Sequence, residues 1–116
     1  MIKTKRAYDG VSDDDGVRFL VDRLWPRGIR KDDLQIEGWV KDASPSSELR
    51  KMVHGDPSTW DEFERRYIAE LEANPEAWQP LVDAARSGAI TLVYSAKDTE
   101  RNNATVLKAF LEKHLP

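Results

Sequence analysis

The sequence predicts an α/β fold: a single small domain over residues 1–116, with a short, partly parallel sheet covered by helices. Three observations carry this expectation. Val17–Leu24 and Ala89–Tyr94 are short apolar runs bounded by turn signals, the pattern of buried strands. Each runs directly into charge, Asp22-Arg23 and Arg27 after the first and Lys97-Asp98 after the second. About 65 mostly helical residues separate the two runs, ample for the crossover that parallel strands require.

The elements follow in order. Ile2–Tyr8 alternates small or apolar residues with Lys and Arg, as a half-exposed strand does. Asp9-Gly10 breaks it, and Ser12-Asp13-Asp14-Asp15-Gly16 reads as a solvated acidic loop. A calcium loop is excluded, because the later oxygen ligands and the closing glutamate are missing. Val17–Leu24 is the core strand, stopped by Trp25-Pro26-Arg27-Gly28. Ile29–Leu34 is a polar connector with room for one helical turn, and Ile36–Val40 is a second short strand.

Ser44-Pro45 reads as a helix start, with Ser44 as N-cap, Pro45 at the first helical position and Glu48 in the first turn. That helix is expected to reach Val53 and stop at His54-Gly55-Asp56-Pro57. Ser58 and Thr59 open a second helix, with Asp61 and Glu62 favouring its N-terminal dipole. Trp60, Phe63, Tyr67, Ile68 and Leu71 form its apolar stripe. Asn74-Pro75 starts a third helix, with Trp78, Leu81, Val82 and Ala85 on the buried face and Gly88 as C-terminal cap. After the Ala89–Tyr94 strand, a last helix is expected with Asp98 or Thr99 as N-cap and Ala104, Val106, Leu107, Phe110 and Leu111 inward.

Composition narrows the function. The 18 Lys and Arg against 21 Asp and Glu leave a net charge of −3, so the chain as a whole has no attraction for nucleic acid, although a local patch could still bind it. Cysteine is absent, which excludes disulfides, thiol catalysis and thiolate metal sites. The start, Met1 to Arg6, lacks an apolar signal region, and no apolar run approaches the roughly 18 residues that span a membrane. A cytoplasmic location is expected.

The chemistry is expected at the strand ends, where ligands of open α/β sheets bind. If the strands are parallel, Arg23, Arg27, Lys41 and Lys97 converge there and could hold a phosphate, carboxylate or nucleotide-like anion. Asn102 and Asn103, in the first turn of the last helix, face the same region or satisfy helix-end groups. Asp22, Asp42 and Asp98 would orient the cations, or one would act as a general base if its pKa were raised. The competing reading is a structural ion network with Asp98 as a helix cap. No glycine-rich phosphate loop or serine nucleophile elbow is present. His54 beside Asp56 is a candidate proton shuttle or a solvated or capping histidine, and His114 is near-terminal. The two together make no metal motif, so no metal or cofactor is expected.

Several stretches resemble the YeaO-like family, domain of unknown function 488. They are Val21-Asp22-Arg23-Leu24-Trp25-Pro26-Arg27-Gly28, Trp39-Val40-Lys41-Asp42-Ala43-Ser44-Pro45-Ser46, Leu49-Arg50-Lys51, Asp56-Pro57 and Tyr94-Ser95-Ala96-Lys97-Asp98 with Asn102-Asn103-Ala104. The similarity spans nearly the whole chain and implies a single α/β domain of bacterial type with no established activity. Nucleotide or nucleic-acid processing is what it suggests for the wider family. Two positions depart from the family pattern. Met52-Val53-His54-Gly55-Asp56-Pro57 stands where members read Trp-Phe-Gly-His-Asp-Pro, and Arg101 stands where they place His. Both changes weaken acid–base chemistry more than anion binding. The expectation is therefore an anion-binding domain with hydrolase-type or nucleotide-processing activity. The alternative is a non-catalytic regulatory or interaction module, with Trp25 and Trp39 on a partner or homodimer surface.

Overall fold

A computed structural model describes residues 1–55 and 57–115. Its four strands are β1 (Ile2–Arg6), β2 (Val17–Leu20), β3 (Gly38–Trp39) and β4 (Ile90–Tyr94). They form one sheet in the order β1-β4-β2-β3, and every neighbouring pair is parallel. The sheet is thus wholly rather than partly parallel. Four α-helices lie among the described residues: α1 (Ser47–Gly55), α2 (Trp60–Ala73), α3 (Pro75–Ser87) and α4 (Asn103–Glu112).

The two sheet faces are covered differently. Phe19, Val21, Ile90, Leu92 and Tyr94 pack with Phe63, Tyr67, Leu71, Trp78, Leu81, Leu107, Phe110 and Leu111, so the helices share one face. The opposite face is covered by loop. There Leu20 and Val93 pack with Ala7, Leu34, Trp25, Ile29, Ile36 and Trp39. The indoles of Trp25 and Trp39 meet edge-on at 5.5 Å, and each donates its N–H to a backbone carbonyl, Trp25 to Ile29 and Trp39 to Asp22. Both therefore serve as packed covers for a sheet face on which no α-helix packs among the described residues.

The acidic loop departs from its solvated reading. Asp13–Asp15 is a 3₁₀ turn, and Asp15 is 1% exposed beneath the loop face of the sheet. Its carboxylate accepts from Arg18 at 2.6 Å, from Lys5 at 3.3 Å and from the Ser12 backbone N–H at 3.1 Å. Thr91, register partner of both Lys3 and Arg18, donates its hydroxyl to the Asp15 carbonyl at 2.7 Å. A polar row thus crosses three strands beside an apolar row. Burial pushes the Asp15 carboxyl up, and hydrogen bonds from Ser12, Arg18 and Lys5 outweigh it and hold it below the usual carboxylate range.

Several boundaries also moved: β1 ends at Arg6 rather than Tyr8, β3 is Gly38–Trp39 rather than Ile36–Val40, and α1 reaches Gly55 rather than Val53. β2 ends at Leu20, not Leu24, because the chain turns where Trp39 takes the Asp22 carbonyl at 2.6 Å. Ser44 closes the 3₁₀ turn Lys41–Ala43 instead of capping α1. Ser46 takes that role by accepting the Leu49 N–H, so the helix begins two residues after the Ser-Pro signal. Asn102, not Asp98 or Thr99, caps α4: its side chain accepts the Thr105 N–H at 2.9 Å while Thr105 Oγ1 accepts the Asn102 N–H. The loop from Ile29 to Leu34 is a hydrogen-bonded turn closed from Asp33 and Leu34 to Arg30.

Candidate functional site

β2 and β4 are neighbours, but their connections diverge at the carboxyl ends. The chain leaving β2 runs outward to β3, whereas β4 feeds α4, which packs on β4 and β1. Such divergence marks the usual ligand position in an open parallel sheet. Asp22 stands beside it, two residues past the end of β2. Its Oδ2 accepts the Ser95 N–H at 2.9 Å and the Ser95 hydroxyl at 2.6 Å. Its Oδ1 accepts the Asn103 amide at 3.1 Å, and the same amide reaches the Val21 carbonyl at 3.0 Å.

Asp22 therefore joins β2, β4 and the first turn of α4 through its own carboxylate. Those donors would otherwise be available to an anion; here the protein supplies the anion itself. Asp22→Ala is expected to lower unfolding free energy by about 2–4 kcal/mol, since it strands three donors at once. Urea unfolding followed by circular dichroism measures this. A loss under about 1 kcal/mol would show that the link is dispensable.

The other sequence candidates disperse around this point. Arg23 turns toward the helical layer, its Nε donating to the Pro45 carbonyl at 3.0 Å. Arg27 is exposed on the following turn, and its carbonyl accepts the Tyr8 hydroxyl at 2.8 Å. Lys41 places its ammonium 3.9 Å over the Trp39 ring. Lys97 is exposed. Asp98 accepts the N–H groups of Glu100 and Arg101, and these hydrogen bonds hold its carboxyl below the usual range. That is opposite to the raised pKa a general base at neutral pH would need. Asn102 is buried as the α4 cap, and its amide also donates to the Asp98 carbonyl. The side chain of His54 lies outside the described residues.

Two of the candidates do meet in one place. Arg23 and Asp42 line a cavity of about 190 Å³ with Ser44, Ser46, Tyr67, Glu70, Leu71 and Asn74. Its walls are the segment leaving β2, the turn after β3, the start of α1 and the last turns of α2. Tyr67 is fully buried and donates its hydroxyl to the Ala43 carbonyl at 2.5 Å. Burial pushes its phenol far up, reinforced by the charges of Asp22 and Glu70, so the phenol stays neutral. Glu70 Oε1 accepts the Ser46 N–H at 3.0 Å. The Ser44 hydroxyl is committed to the Lys41 carbonyl.

Tyr67 and Glu70 escaped sequence reasoning because Tyr67 fits the α2 apolar stripe and Glu70 reads as one more surface acid. Ser95 did carry a signal, as the first residue after β4 at the sheet's carboxyl end. Among the described residues no group of three or more His, Asp or Glu side chains is placed to hold a metal. No described helix is long and apolar enough to cross a membrane.

A family model described as the inactive DUF488-N3 subclade matches residues 1–116. The chain is 46% identical over 110 residues to the uncharacterized protein YeaO of Escherichia coli (strain K12), covering 95% of this chain and 96% of that protein. It is 40% identical over 110 residues to an uncharacterized protein of Mycobacterium tuberculosis, covering 95% of this chain and 92% of that one. An uncharacterized protein of Mycobacterium bovis matches to the same extent. No solved structure matches the chain.

Proposed function

The chain belongs to the YeaO-like DUF488 family, and from that premise we propose that it is a non-catalytic binding domain holding a small ligand with an anionic group in the cavity at Arg23. The observation that carries this reading is the state of the Arg23 guanidinium. Its Nε is fixed by the Pro45 carbonyl, it faces a cavity, and it forms no ion pair among the described residues. A guanidinium anchored on one side and open on the other suits a phosphate or carboxylate. A volume of about 190 Å³ lies below the ~300–1,000 Å³ of drug-sized sites, so the ligand is small.

The absence of turnover rests on two of the three candidate bases, Asp22 and Asp98; the third, Asp42, is exposed at the cavity and forms part of the proposed ligand seat. Asp22 is occupied by Ser95 and Asn103, and Asp98 is held in its charged form by backbone N–H groups. The Ser44 hydroxyl donates its proton to the Lys41 carbonyl rather than to a carboxylate. The word inactive in the description of the matching family model is in keeping with this reading.

A thermal-shift series with small phosphates and carboxylates tests it. A ligand at 100 times its dissociation constant adds about 2.7 kcal/mol, a rise of roughly 10 °C for a domain of this size. The rise is expected to vanish in Arg23→Met, with no product formed by the wild-type chain. No shift with any member, or a shift that survives Arg23→Met, would overturn the proposal.

A further inference from the structure

We infer that the ligand of this cavity is a zwitterion, with its anionic end at Arg23 and an ammonium between Asp42 and Glu70; this rests on the cavity being the ligand seat proposed above. The charges of the lining decide it. Arg23 contributes one positive charge, and Asp42 and Glu70 contribute two negative ones. The acids do not pair with Arg23: no ion pair involving any of the three forms among the described residues. Asp42 accepts no hydrogen bond there, and Glu70 accepts one, from the Ser46 N–H, through Oε1 alone.

Opposite charges thus line one small space without touching each other. A simple anion would meet Arg23 but leave two carboxylates facing it, with a third, Asp22, close enough to raise the Tyr67 phenol. A simple cation would leave the guanidinium unmatched. A molecule carrying both charges satisfies the two ends together, at half-buried Arg23 and Glu70 and exposed Asp42. Leu71 and Tyr67 also line the cavity and give a short carbon spacer apolar wall, and Asn74 completes the lining. The chemical class is a short amino phosphate or amino carboxylate.

Calorimetric titration of the full chain distinguishes the cases. The probes are phosphoethanolamine and β-alanine, against the single-charge analogues ethyl phosphate, propionate and ethylamine. At least one zwitterion is expected to bind ten-fold or more tightly than both of its analogues, and the better of the two identifies the anionic end as phosphate or carboxylate. Asp42→Asn with Glu70→Gln is expected to erase that preference, weakening the zwitterion at least ten-fold while leaving or improving ethyl phosphate. Glutamine keeps an acceptor for the Ser46 N–H, so the fold is preserved, and circular dichroism checks this. Equal binding of phosphoethanolamine and ethyl phosphate, both lost in Arg23→Met, would overturn the zwitterion while leaving the ligand seat standing. Binding by ethylamine alone would overturn it too. Binding by none of the five would remove the seat and the inference with it.

Discussion

Gly16→Ala is expected to cost more than about 4 kcal/mol, a large share of the ~5–15 kcal/mol that holds a domain of this kind together. Gly16 has φ +66° and ψ −141°, a region that is close to glycine-only. The steric problem is worse than the torsional one. A Cβ at Gly16 would lie 2.0 Å from the Ala89 carbonyl oxygen and 2.6 Å from its carbon. That same oxygen accepts the Val17 N–H at 3.0 Å, the contact that starts β2 along β4. Backbone must therefore move at the point where two central strands first pair. Gly28 serves as the control: its φ is +83°, yet a Cβ there meets nothing within 4 Å. Gly28→Ala is expected to cost only the left-handed strain, about 1–2 kcal/mol. Denaturant midpoints of the two variants separate the effects, and similar losses for both would refute the clash.

The second large effect lies in the same corner. Arg18→Met is expected to lose about 3–5 kcal/mol, because it leaves the Asp15 carboxylate buried without its closest partner. It also removes the Arg18 Nε donor from the Gln35 carbonyl, at 2.7 Å, which ties the loop cover to the sheet. Asp15 gives this corner a pH signature. Its folded pKa is below the unfolded value of 3.8, so its contribution is complete above that pH and is lost as pH falls through the folded value. Asp15→Asn should therefore lower stability at pH 7 and flatten its decline below about pH 4. Urea melts at pH 7 and pH 3 measure both. An unchanged difference between the two pH values would show that Asp15 is not the titrating group.

Much of the fold was legible because it is written in period and punctuation. The stripes of α2 and α3, the apolar run of β4 and the Gly88 cap are where the sequence places them. Errors arose where one residue type has two uses. The Asp13-Asp14-Asp15 run looks solvated, yet its third member is buried, because Arg18 on β2, three residues on, and Lys5 on β1, ten residues back, come to meet it. Ser44-Pro45 and Ser46 offer two helix starts within three residues, and the preceding 3₁₀ turn claims the first.

The candidate site was legible in location but not in assembly. Asp22 was correctly placed at a strand end, and its partners Ser95 and Asn103 are 73 and 81 positions away, a pairing that only the strand order reveals. Arg23 and Asp42 were named and do share a cavity, whereas Arg27, Lys41 and Lys97 do not line it. Side chains leaving a sheet edge fan out, and spacing along the chain says nothing about which way each turns.

The strand order also governs how the protein is made. Ile2 pairs with Ile90, and β1 has no other neighbour in the sheet. At about 5–20 residues per second of synthesis, β1 waits roughly 4–18 s after its translation for β4 to follow. During that interval the nascent chain carries β1 unpaired, and β2 has only the two-residue β3 beside it. The lysines at positions 3 and 5, which later face Asp15, meanwhile place positive charge on an open strand, a feature that discourages edge-to-edge association. One basic strand thereby guards the nascent chain and then completes an ion cluster in the finished fold.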